Sequence, residues 1–424
     1  MSNYSDYFTV TQDYKANMTR EAINETPETW LDFYPHKKFA EFLATLLDVI
    51  TSGSKSVWLT GNYGTGKSSA ALVAQKLFMD DKTRVRKWFE LYQTALYDRE
   101  SLEKGLFDRR DDGTLVVYDY NASGVGPTEE LLVRLEKGII TALNERGLPI
   151  PANSNLDSVV ERLEREGTHF FASRDAIQGQ LAYLHSDIKT VEQLVNALNK
   201  EHKTTDAPTR LLADVQRVFH RDKIYLDVDV TTFRQWIAIL TANNFKRIVY
   251  VFDEFSDFIN ANKEQLKTFE DVTENPGINH FFLVPVTHLN INAFCSENSA
   301  SAEKAKDRFH FRNLQMPNDT AFKLAKHAMK GKTDPQVASE WKTEKDNLWG
   351  SVSDVANKFK PEDVSSQSFY DILPIHPMAA FLLKSLSESA SSNQRSIFEY
   401  LKGSADGKEF QDFISSGGPE VENK

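Results

Sequence analysis

The apolar positions of this chain follow two periods. Phe39, Phe42, Leu43, Leu46, Leu47 and Ile50 recur at three- and four-residue spacing, which puts them on one face of a helix. Gly53 follows as its stop. Ser56 to Thr60 is then a short run suited to a buried strand, and Ser69 to Met79 returns to a helical pattern. Four more strand-length runs follow: Leu115 to Tyr120, Arg247 to Phe252, His280 to Thr287, and Phe309 to Met316. Helical stretches separate them. The alternation predicts an α/β fold, a five-stranded parallel sheet with helices on both faces.

One interval breaks the rhythm. About a hundred residues, roughly 145 to 245, separate the second and third strands, where connections are ordinarily far shorter. Val191 to Leu198 and Phe233 to Leu240 read as helix, so the interval is expected to be a helical insertion. Beyond Met316 the pattern is helical again: Leu324, His327 and Ala328 share a face, as do Met378, Phe381, Leu382 and Leu386. The expected organisation is an irregular N-terminal arm (1–35), a core (36–316), a helical lid (317–415) and a frayed tail (416–424).

Composition narrows the class. Of 424 residues, 40% are hydrophobic and 26% charged, ordinary globular usage that excludes disorder over most of the length. The formal net charge of -11 excludes a globally basic nucleic-acid binder but leaves room for a local basic groove. Cys295 is the single cysteine, so no intramolecular disulfide can form and a Cys-rich zinc site is excluded. The longest apolar runs, Ile248 to Phe252 and Phe281 to Val286, fall well short of the roughly 20 residues a membrane span needs. The first residues, Met1-Ser2-Asn3-Tyr4-Ser5-Asp6, lack a signal peptide's basic region and apolar block. The expectation is a cytoplasmic protein with no membrane partner. The histidines show no H-E-x-x-H spacing, which argues against zinc catalysis. His220-Arg221-Asp222 is similar to a kinase catalytic loop, but Asp227 stands where an asparagine is required and no Asp-Phe-Gly follows.

The candidate chemistry lies between the first strand and the helix after it. Gly61-Asn62-Tyr63-Gly64-Thr65-Gly66-Lys67-Ser68 fits G-x-x-x-x-G-K-[ST], and Ser69 opens the helix. Glycines let backbone N–H groups turn inward around phosphates, and the helix points its positive end at the same charge. In such a loop Lys67 reaches the β- and γ-phosphates of ATP and the Ser68 hydroxyl binds Mg²⁺. The other half of such a site is a carboxylate ending a buried strand. Ile248 to Phe252 followed by Asp253-Glu254 supplies it: Asp253 to hold the Mg²⁺ water shell, Glu254 to polarise the attacking water. The next strand ends in Thr287-His288-Leu289-Asn290, where Thr287, His288 or Asn290 can meet the γ-phosphate or that water.

With these motifs the chain resembles an AAA+ ATPase over about 40–402, apart from the insertion. The resemblance implies ATP, Mg²⁺ and a ring or other homo-oligomer. Ala305-Lys306-Asp307-Arg308-Phe309 is similar to the family's arginine-finger segment, which makes Arg308 the candidate for reaching a neighbour's nucleotide, with Arg312 in reserve. His376-Pro377-Met378-Ala379-Ala380-Phe381, then Asn393-Gln394-Arg395-Ser396-Ile397-Phe398, resembles the lid of large bacterial phage-defence ATPases of the BREX and phosphorothioation-linked type. Arg395 would be the second sensor, although the usual Glu before it is missing. That likeness implies a defence setting, with DNA and an effector protein as candidate partners. The basic run Lys304, Lys306, Arg308, Arg312, Lys323 and Lys326 fits DNA contact and equally a solvated face. Two other readings stay open, an ATP-gated assembly switch or scaffold with little turnover and a chaperone-like remodeller. Turnover, with and without DNA, separates motor from switch.

Overall fold

The computed structural model describes residues 3–10, 20–61, 65–120, 130–173, 175–204, 210–224, 226, 228–288, 304, 307–314, 318–360, 364–382, 401 and 410–417. The described chain forms two compact units, one of residues 1–38, 62–69 and 314–424 and the other of 39–61 and 70–313.

The second unit is built on the predicted sheet. Its strands are β2 (Ser56–Thr60), β3 (Thr114–Tyr120), β4 (Arg247–Asp253), β5 (Phe281–Thr287) and β6 (Phe309–Asn313), all parallel, in the order β3-β4-β5-β2-β6. Every residue of β4 and β5 is buried, which is why their sequences read as unbroken apolar runs. β6 ends at Asn313, short of the predicted Met316, where its apolar character gives way to Arg312-Asn313. Trp58 of β2 anchors one face, with Phe255, Phe269, Phe309 and Phe311 packed around its rings at centroid distances of 6.0, 5.7, 5.2 and 5.7 Å. The Lys37–Ser52 helix buries all six residues of its predicted face, and Gly53 ends it with φ at +69°.

The Leu131–Asn144 helix is locked to the sheet by a buried ion pair. Arg134 donates two hydrogen bonds to Asp119 of β3, at 2.7 and 2.6 Å, and Tyr250 of β4 donates to the same carboxylate at 2.7 Å. Gly138 makes room for this, since a Cβ there would lie 2.2 Å from the Tyr250 hydroxyl.

The long interval between β3 and β4 is helical, as expected. The helices Asn155–Ser173, Asp175–Leu184, Val191–Thr204 and Arg210–Arg221 enclose a small core of their own that includes Leu163, Ile177, Leu181, Leu194, Val215 and Phe219. The last helix of the interval, Val230–Asn243, instead packs Phe233, Trp236, Ile237 and Leu240 into the sheet's core. Both ends of the small bundle meet at Asn155. Its side-chain Nδ2 donates to Glu136 at 2.8 Å, and its side-chain Oδ1 accepts from the Asp229 backbone N–H at 2.8 Å.

The first unit corrects the expected irregular arm. Tyr4–Tyr7 is a helical turn, and β1 (Phe8–Val10) pairs antiparallel with β7 (Met329–Gly331). Tyr4, Tyr7 and Phe8 pack around Trp341 of the long Pro335–Phe359 helix. Seven residues are too few to show a period, yet four of them are apolar or aromatic and need cover. The unit also contains the helices Asn318–Ala328, Ser366–Asp371 and Phe410–Ser416, with Phe322, Phe369, Ile372 and Phe410 in the core. Among the described residues no helix is long and apolar enough to cross a membrane.

Candidate functional site

The parallel sheet brings its carboxyl ends to one edge. Thr60 of β2 is level with Thr287 of β5 and Asn313 of β6, and Tyr120 of β3 with Asp253 of β4. In open α/β sheets this edge is where ligands bind.

β2 leads through the buried Gly61 into the glycine loop, of which Asn62, Tyr63 and Gly64 lie outside the described residues. Thr65 and Gly66 form a bend. Gly66 has φ at +82°, a conformation that favours a residue without a Cβ. Lys67 is the first residue of the Lys67–Met79 helix, two positions ahead of the predicted start. Lys67 and Ser69 are buried and Ser68 half-buried. A helix that opens on Lys-Ser-Ser presents backbone N–H groups and its positive end where the motif needs a phosphate.

At the end of β4 the two acids have different environments. Asp253 is 1% exposed. Its Oδ2 accepts from the Tyr118 hydroxyl at 2.7 Å and its Oδ1 from the Glu254 backbone N–H at 3.0 Å. Burial, then the Asp253 charge, raises the Tyr118 phenol well above its ordinary pKa, so it remains a donor. Asp253 and Ser68 are hard oxygen donors of the kind Mg²⁺ takes beside phosphates and water. Glu254 caps the Phe255–Ala261 helix with φ at 56° and ψ at 32°. That left-handed conformation is uncommon for a residue with a side chain and collects at functional sites.

The end of β5 is also engaged. Thr287 is fully buried, and its hydroxyl accepts from the Trp58 indole N–H at 2.9 Å. The His288 backbone donates to Ser256 Oγ at 3.1 Å, and its imidazole Nε2 lies against Glu254 Oε2. Of the two candidate nucleotide contacts, Thr287 meets Trp58 and His288 meets Glu254. Asn290 lies outside the described residues. Tyr118, Trp58 and Ser256 were not anticipated. Tyr118 and Trp58 act on partners 135 and 229 residues away, a separation no local pattern spans.

The arginine candidates bond within their own chain. Arg308 donates to the carbonyl of Glu270, whose carboxylate accepts from Lys304 at 3.0 Å. Arg312 donates to Thr45 Oγ1 at 2.7 Å. Arg395 lies outside the described residues.

The glycine-loop strand β2 has β5 and β6 as neighbours, and the acid strand β4 lies beyond β5. This is a five-stranded parallel α/β sheet with the glycine loop after one strand and the acidic pair at the end of another. No family model matches the chain. Two solved structures are similar to it. The Aeropyrum pernix ORC2 protein in its ADP form is 13% identical with a TM-score of 0.37, over 98% of this chain and 75% of that one. The same protein in ADPNP–ADP complexes is 10% identical with a TM-score of 0.32, over 90% of this chain and 79% of that one. The strand order and the motifs, not these likenesses, define the fold.

Proposed function

We propose that this chain is an Mg²⁺-dependent ATPase that works as a homo-oligomer. The observation that carries the reading is the pair Asp253-Glu254 closing a fully buried parallel strand, in the same sheet whose strand β2 runs into Gly66-Lys67-Ser68. Lys67 and the loop's backbone N–H groups hold the phosphates. Ser68 and Asp253 would hold Mg²⁺, which would supply positive charge against the phosphates when bound. Glu254 takes a proton from water, the water oxygen bonds to the γ-phosphorus, and the bond to the β–γ bridging oxygen breaks toward ADP. Arg308 and Arg395 are proposed to stabilise the transferring phosphoryl group, Arg308 from a neighbouring subunit. Residues 317–415 are proposed as the lid. The defence setting and an effector rest on the lid segment's resemblance alone, and DNA on that resemblance and the basic run from Lys304 to Lys326.

The experiment is ATP turnover by Glu254→Gln. The amide keeps the side chain's shape but not its basicity, so the variant should bind ATP and lose hydrolysis. Turnover within about twofold of the parent protein would move the base elsewhere.

A second reading, the ATP-gated assembly switch, is favoured by Arg308 and Arg312 both bonding within their own chain. Slow turnover that rises only with self-assembly supports it, and DNA-stimulated turnover supports the motor.

A further inference from the structure

The imidazole of His288 and the carboxylate of Glu254 are both held where they meet. Glu254 is fixed by its left-handed backbone and by the hydrogen bond from its N–H to Asp253. His288 is fixed from two sides. Its backbone N–H bonds Ser256, in the first turn of the helix that Glu254 caps. Its predecessor Thr287 is tied to Trp58 on β2. The two side chains then meet as an Nε2–Oε2 ion-pair contact without hydrogen-bond alignment, with the histidine 8% and the glutamate 22% exposed. A carboxylate on a flexible stem would otherwise sample several rotamers, and a misplacement of about 1 Å at a reacting group can cost about a hundredfold in rate.

We propose that His288 is a positioning residue for Glu254: it holds Oε2 so that Oε1 is the oxygen that takes the proton of the attacking water. This rests on the reading of Glu254 as the base. His288 then acts on the chemical step through Glu254 and makes no contact of its own with the nucleotide. The ties to Ser256 and Trp58 place this residue at the junction of β5, the Phe255–Ala261 helix and the strand that leads into the phosphate loop.

The test compares kcat, KM and equilibrium ATP-analogue binding in the full chain. His288→Ala should lower kcat by about ten- to a hundredfold, with KM and analogue affinity within about twofold of the parent. His288→Gln, whose amide nitrogen reaches about as far as Nε2, should recover most of the kcat. His288→Asn, one carbon shorter, should not. In a Glu254→Gln background His288→Ala should change nothing further, since the two residues act as one unit. Unchanged kcat in His288→Ala overturns the proposal. So does a parallel loss of nucleotide affinity, which would mean that His288 touches the nucleotide. If His288→Ala does not fold, the Gln and Asn variants decide, and equal activity in those two overturns it. Full turnover in Glu254→Gln alone is a separate failure, of the base assignment itself.

Discussion

At the scale of single residues, the acidic side chains of the candidate site are held by contacts within the chain. Asp253 is the clearest case. Tyr118→Phe removes the hydroxyl that donates to Oδ2 and leaves that oxygen without its donor in a buried position. The expected cost is about 1–3 kcal/mol of stability, read from the denaturant midpoint, with weaker Mg²⁺-dependent turnover as well. A midpoint equal to that of the parent protein would mean that the bond contributes nothing. The sequence marks Lys67, Asp253 and Glu254 as candidates because each lies inside a contiguous motif whose residue types have few other uses together. It does not mark Tyr118, Trp58 and Ser256, because only the fold brings them to their partners.

At the scale of elements, the apolar runs placed all five sheet strands, most plainly β4 and β5, which are buried at every residue and so carry the mark throughout. The Tyr4–Tyr7 turn and the β1–β7 ribbon escaped because short elements carry no period. The root of the helical insertion gives a prediction of its own. Glu136 accepts from the Asn155 backbone and amide at 3.0 and 2.8 Å, and Oε2 has no hydrogen-bond partner among the described residues. Burial pushes its pKa up from 4.5 to about 7, against the lowering effect of the Asn155 bonds, and the charge of Asp157 adds to the rise. An acid whose folded pKa is raised favours folding while protonated. Its contribution is therefore fully present below about pH 4.5 and is lost as pH rises to about 7, an effect of roughly 3 kcal/mol. Glu136→Gln keeps the acceptor and removes the charge. Its unfolding free energy should lose that downward slope between about pH 5 and 7 relative to the parent protein. Parallel pH profiles for the two proteins would contradict the assignment.

At the scale of the whole molecule, the question is whether one chain completes a site. Arg308 bonds the Glu270 carbonyl of its own chain, so acting on a neighbour requires that bond to open on assembly. Arg308→Ala should leave nucleotide affinity intact and lower turnover, by roughly a thousandfold or more if it acts as a finger. Mixing Arg308→Ala with Lys67→Ala subunits should restore partial activity, because one donates the arginine and the other the intact phosphate loop. Mixed oligomers without activity would remove Arg308 from that role and bring Arg312 forward.

The turnover outcomes presuppose that ATP binds at the loop opening on Lys67. The most direct measurement is equilibrium binding of a labelled ATP analogue, with Mg²⁺, to the parent protein and to Lys67→Ala, each checked for folding by circular dichroism. Saturable binding to the parent protein and at least about hundredfold weaker binding to the variant is the expected result, because the lysine makes the main charge-assisted side-chain contact with the phosphates. Equal affinity in the two proteins, or no binding to a folded parent protein, would contradict the account.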